Sequence, residues 1–149
     1  VERLVAPDRE AGVLDQLVAR GIAEETVAVA KLIAHWLGFG PAIMLAALPT
    51  AAMFDLAGAV LARLELALLI GTPGLAALGV AVAALTAASR RAGAVAGLLL
   101  LPLAVPVLIF GAATAVGEPG ALGLLAAASL LLVAGSPFAA GAAMRAARD

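Results

Sequence analysis

Residues 94–116 read AVAGLLLLPLAVPVLIFGAATAV, a run with no charged side chain and with apolar residues almost throughout. A bilayer core of about 30 Å is crossed by about 20 helical residues, and this stretch is long enough to do it. Its apolar residues are continuous rather than alternating about every second position, so it suits a helix and not a barrel strand. Comparable runs occupy 27–54, 66–88 and 121–143. The 149-residue chain is 64% hydrophobic and 13% charged, with mean hydropathy +1.15. Soluble domains are about half apolar and a quarter charged, and a chain of this size has too little interior to hide the excess. The expected fold is all-α: a polytopic transmembrane helical bundle of about four spans, with a cytoplasmic segment at 1–26 and a transmembrane domain at 27–149.

Apart from Lys31, the charges fall outside these runs. Residues 1–26 carry Glu2, Arg3, Asp8, Arg9, Glu10, Asp15, Arg20, Glu24 and Glu25. Within them, 8–19 reads as one amphipathic helix with Asp8 as N-cap and Gly21 as the C-terminal stop. Val13, Leu14, Leu17 and Val18 share its apolar face. Four spans put Arg3, Arg9, Arg20, Lys31, Arg90, Arg91, Arg145 and Arg148 on one side and Arg63 alone on the other. The positive-inside rule makes the first side cytoplasmic, with the C-terminus there and Asp55 and Glu118 outside. Lys31, His35 and Trp36 enter the first span as interface anchors, and Pro41 and Pro49 bend it. Residues 56–64 are either an interfacial piece or an extended helix end. Gly71-Thr72-Pro73-Gly74 predicts a kink or an unwound turn in the second span, and Pro102 and Pro106 lie inside the third. Val1 in place of Met leads us to expect a piece of a longer protein.

Several chemistries are excluded by residue type. A net charge of −1 offers no basic field for nucleic acid. With no cysteine and one histidine, thiol chemistry is absent and a protein zinc site is nearly excluded. Lys31, the single lysine, lies in no Gly-x-x-x-x-Gly-Lys context, so this chain carries no P-loop. Gly135-Ser136-Pro137 lacks the glycine that completes a nucleophile elbow. No catalytic set emerges, so the residues favour no enzyme. His35 alone has the chemistry to ligate haem iron or relay a proton, but its place beside Lys31 suits an interfacial polar residue better. The breaks at Gly71, Thr72, Pro73, Pro102 and Pro106 free backbone carbonyls at membrane depth. Transport pathways and hinges use such breaks, and ordinary bent spans contain them too. Gly93-x-x-x-Gly97 is a small-residue register suited to close helix contact. The acidic flanks of the 8–19 helix favour docking on a protein over lying on anionic lipid.

Several stretches together resemble the CcmB (haem exporter protein B) family of cytochrome c maturation proteins. They are Glu10-Ala11-Gly12-Val13-Leu14-Asp15-Gln16-Leu17, with one extra residue between Glu10 and Gly12, and Lys31-Leu32-Ile33-Ala34-His35-Trp36-Leu37. Gly71-Thr72-Pro73, Arg90-Arg91-Ala92-Gly93, the proline-bearing 101–111 and Ser136-Pro137-Phe138-Ala139 follow in the family's order. The resemblance implies a permease-like membrane subunit with an ABC-2-type exporter fold, working in the bacterial inner membrane. Its implied partners are a CcmA-type ATPase, CcmC, CcmD and a CcmE-type haem chaperone, whose haem-loaded form is released at the expense of ATP. Haem is then cargo, ATP belongs to the partner, and no cofactor is assigned to this chain. Glu10, Gly12, Val13, Leu14, Asp15, Leu17 and Val18 become the coupling surface for the ATPase. Family members have about six spans, so the resemblance implies a chain lacking two N-terminal ones. An ABC-2-type permease for lipid or polysaccharide, and a non-transporting assembly scaffold, remain as alternatives.

Overall fold

In a computed structural model of the chain, residues 4–88 and 92–146 are described, and every regular element among them is a helix. Two short helices, α1 (Ala6–Glu10) and α2 (Val13–Ala19), precede four long ones: α3 (Glu24–Met53), α4 (Gly58–Ala88), α5 (Ala92–Val116) and α6 (Ala121–Ala146). The stretches Glu24–Met53, Gly58–Ala87 and Ala121–Ala146 are long and apolar enough to cross a membrane, and Pro102–Val116 in α5 is a shorter apolar stretch. The apolar runs have thus become the long helices, as expected of a helical membrane protein.

For α4, one alternative left open is decided and one expectation needs correction. The helix begins at Gly58, so 56–64 is an extended helix end, and Arg63 and Glu65 sit in its first two turns. It also continues through Gly71-Thr72-Pro73-Gly74 without unwinding. The hydroxyl of Thr72 donates to Leu68 O at 2.7 Å, bracing the turn in which Pro73 has no N–H to give. Packing holds the same turn from outside. A Cβ at Gly71 would stand 3.3 Å from Leu125 and Val107, and one at Gly74 would stand 2.8 Å from Ser129 Oγ. The glycines serve close helix approach here and do not mark a break.

Successive long helices alternate in direction, so α4 and α6 run parallel: Gly71 faces Leu125 and Gly74 faces Ser129 one turn on. Helix α4 is the centre of the bundle, packing on α3, α5 and α6, with Ala76, Ala77 and Ala83 wholly buried. One apolar cluster joins Val5, Leu14, Ala28 and Leu32 to Val80, Ala84, Ala140 and Met144 at the end that carries the N-terminal segment. A smaller one, Ala67, Val107 and Leu125, lies toward the other end.

The expected single helix 8–19 is two helices, because Gly12 adopts φ 70° between them. Asp8 is also not an N-cap. It lies in the first turn of α1 and forms an ion pair with Lys31 of α3. The Gly21 stop is as expected: its φ is 79°, its N–H bonds Val18 O, and Ile22 N–H bonds Leu17 O, the pairing of a Schellman motif. The same pairing closes α3 at Asp55, a left-handed non-glycine residue at φ 49°, and α5 at Gly117. The 89–91 turn with Arg90 and Arg91, together with Arg3 and Arg148, lies outside the described residues, and so does the packing of Gly93 and Gly97.

Candidate functional site

At the end bearing both N-terminal helices, the residues expected to form one coupling surface divide in two. Leu14 is 8% exposed and belongs to the bundle's own core, while Leu17 and Val18 are half-buried. Glu10, Val13 and Asp15 face outward together with Gln16, Ala19 and Arg20, and Gly12 lies at the boundary. The apolar face is therefore spent partly on this chain's own helices, because the chain turns at Gly12 and Leu14 joins an apolar cluster with residues of α3, α4 and α6. What remains free is a mixed surface on which Val13 is the large apolar residue, among alanines and polar neighbours. Beside it Arg145, in the last turn of α6, pairs with Glu24 at 3.6 Å and with Glu25. Both carboxylates lie in the first turn of α3, so each charge also complements its own helix dipole.

Deeper in, the three anchor residues of α3 each find a partner within the chain. Lys31 reaches back to Asp8 and the Leu4 carbonyl. Trp36 turns its indole N–H to Thr72 Oγ1 of α4 at 2.9 Å, so its polar edge serves a helix contact rather than a membrane surface. His35 stacks at a tilt on Phe39, ring centroids 5.1 Å apart, with Nε2 against Gly79. Among the described residues no group of three or more His, Asp or Glu side chains is placed to hold a metal ion. Ser136 Oγ is buried without a hydrogen-bond partner, as is Glu65 Oε1.

The residues read as pathway or hinge also separate. Gly71 and Thr72 line a cavity of about 190 Å³ between α4 and α5. Pro102 and Pro106 are exposed on α5, and Pro73 is half-buried beside the cavity without lining it. The cavity floor is made of small residues, Ala67 and Gly71 from α4 with Gly111, Ala112 and Ala115 from α5. At its end Arg63 Nε donates to Ala115 O at 3.4 Å, and the guanidinium lies over Gly117, where a Cβ would come within 3.2 Å of it. The sequence held one signal for this cavity, the four-residue spacings Ala67 to Gly71 and Gly111 to Ala115, which place small residues on one helix face.

Comparison with known proteins covers nearly the whole chain. The family described as CcmB protein matches residues 1–147. Heme exporter protein B of Rhodobacter capsulatus is 40% identical over 153 aligned residues, covering 97% of this chain and 69% of that protein. The protein of the same description from Paracoccus denitrificans is 42% identical with the same coverage. That of Haemophilus influenzae is 37% identical, covering 99% of this chain and 70% of its own length. With a family match over nearly every residue and relatives this similar, the chain belongs to the CcmB family.

Proposed function

We propose that this chain is the permease-like membrane subunit of an ABC-type complex for haem handling in cytochrome c maturation. The observation that carries the reading is the family match over 1–147, with relatives described as heme exporter protein B. The sequence supports a division of labour: this chain has no phosphate-binding loop, so nucleotide hydrolysis falls to a CcmA-type ATPase. CcmC, CcmD and a CcmE-type haem chaperone complete the assembly, and haem is the cargo or the species whose release is driven. The chain sits in the inner membrane with its N-terminal helices and C-terminus in the cytoplasm.

Coupling to the ATPase runs through the outward surface of α1 and α2. Glu10, Val13 and Asp15 are free there, on the side where the bundle's other described basic residues gather, and Leu14 holds the surface to the bundle from beneath. The test is co-purification from native membranes with the full-length protein, with partners identified and the subunit's membrane level measured alongside. Val13→Asp buries an uncompensated charge at the contact and should cut ATPase recovery by about tenfold or more. Membrane level should hold, since the long helices are untouched. Undiminished recovery would move the docking surface elsewhere. Recovery of an ATPase without haem-handling partners would favour a permease for another substrate.

A further inference from the structure

We propose that the cavity between α4 and α5 is a binding site for one acyl chain of an anionic phospholipid, with Arg63 holding the headgroup phosphate. The lining decides the ligand's body. It is apolar except for Thr72, whose hydroxyl is already engaged with Leu68 O and the Trp36 indole. The cavity opens sideways past Leu108, which is 58% exposed, and so faces the lipid and not the middle of the bundle. Its 190 Å³ lies below the roughly 300–1,000 Å³ of sites that enclose a whole small molecule. A single chain fits it, whereas a flat macrocycle such as haem does not.

Length and the position of Arg63 agree with that occupant. From Arg63 to Leu75, the lowest α4 residue of the lining, the helix rises about 18 Å at about 1.5 Å per residue. One leaflet of a core about 30 Å thick is about 15 Å deep. The groove therefore runs from the membrane surface to the bilayer midplane, the course of one lipid tail. At its surface end stands Arg63, the one basic residue among those described at this end of the bundle. The guanidinium spends one donor on Ala115 O and lies over Gly117, and its remaining donors have the chemistry to hold a phosphate. Asp55, Glu65 and Glu118 share this end: Asp55 and Glu118 are exposed, Glu65 Oε1 is buried without a hydrogen-bond partner, and the described ion pairs, which engage Asp8, Glu24 and Glu25, tie none of the three to Arg63.

Trp36, the chain's single tryptophan, supplies the readout, because its indole bonds the Thr72 that lines the groove. The full chain is reconstituted in phosphatidylcholine vesicles carrying a small fraction of phosphatidylglycerol brominated in the lower half of one acyl chain. A second set carries the same fraction of brominated phosphatidylcholine. Brominated phosphatidylglycerol should quench Trp36 with about a fivefold preference, the factor one basic residue contributes toward an anionic headgroup. Arg63→Gln should abolish the preference and Arg63→Lys should keep it, which separates loss of charge from misfolding. Gly111→Leu, at a position where a Cβ has 4.0 Å of clearance to Leu125, should fill the groove and reduce quenching by either lipid toward that of bulk contact. Equal quenching by the two lipids in the unaltered protein would overturn the proposal. So would quenching that Gly111→Leu leaves unchanged, or a groove closed to both lipids by another helix.

Discussion

Thr72 concentrates several demands in one hydroxyl. It donates to Leu68 O within its own helix, accepts from Trp36 across to α3, and shows its methyl face to the α4–α5 cavity. Valine keeps the shape and loses both hydrogen bonds. Polar contacts between membrane helices contribute about 0.6 kcal/mol on average and at most about 1.7, so Thr72→Val should lower unfolding stability in detergent by about 1 kcal/mol. Thr72→Ser should recover most of it, and the Trp36 emission maximum should move only in the valine variant. Unchanged emission in Thr72→Val would mean the indole has another acceptor. None of this pairing was legible in the sequence. Lys31, His35 and Trp36 sit near a span entrance, where such residues ordinarily face the headgroups, and nothing local says that a threonine 36 residues away competes for the indole. The apolar runs, by contrast, were legible because a bilayer makes the same demand on every turn of a spanning helix.

Among the elements, the folded-back pair α1 and α2 shows how an amphipathic stripe can mislead. Spacing alone identifies an apolar face, but not whether that face is met by a partner or by the same chain. Gly12 decides it, since its left-handed backbone turns α2 onto the bundle and buries Leu14. Among the contacts that hold the pair, two differ in magnitude. The Lys31–Asp8 contact is half-exposed on the Asp8 side, where ion pairs contribute about 0.2–1 kcal/mol. Leu14→Ala empties a packed site and should cost about 2–5 kcal/mol. Hydrogen exchange of the 4–20 amides should therefore rise steeply in Leu14→Ala and only slightly in Asp8→Asn. The reverse order would make the ion pair the real fastening. The start of α4 stayed open in the sequence for a related reason. Arg63 and Glu65 looked like the edge of a span, yet a helix does not end where the hydrocarbon does, and α4 carries both charges within its hydrogen-bonded turns.

For the whole molecule, the arrangement of ends is the testable quantity. Arg20, Lys31 and Arg145 gather at one end and Arg63 stands at the other. In the proposed orientation Gln16→Cys should react with an impermeant maleimide only after the inner face is opened, and Glu118→Cys should react from outside at once. The chain has no cysteine of its own to confuse the readout. Labelling of both from outside would break the four-span topology. The parallel contact of α4 with α6 has a mechanical consequence as well. Sliding one helix past the other by a single turn, about 5.4 Å, would bring Ile70 or Leu78 to the place where Gly74 now admits Ser129. Neither branched side chain fits a gap that is too small for one methyl group. The pair has a single tooth position and no next notch, so α4 and α6 travel as one strut, and any working stroke in this subunit is taken up by α3 and α5 moving around it.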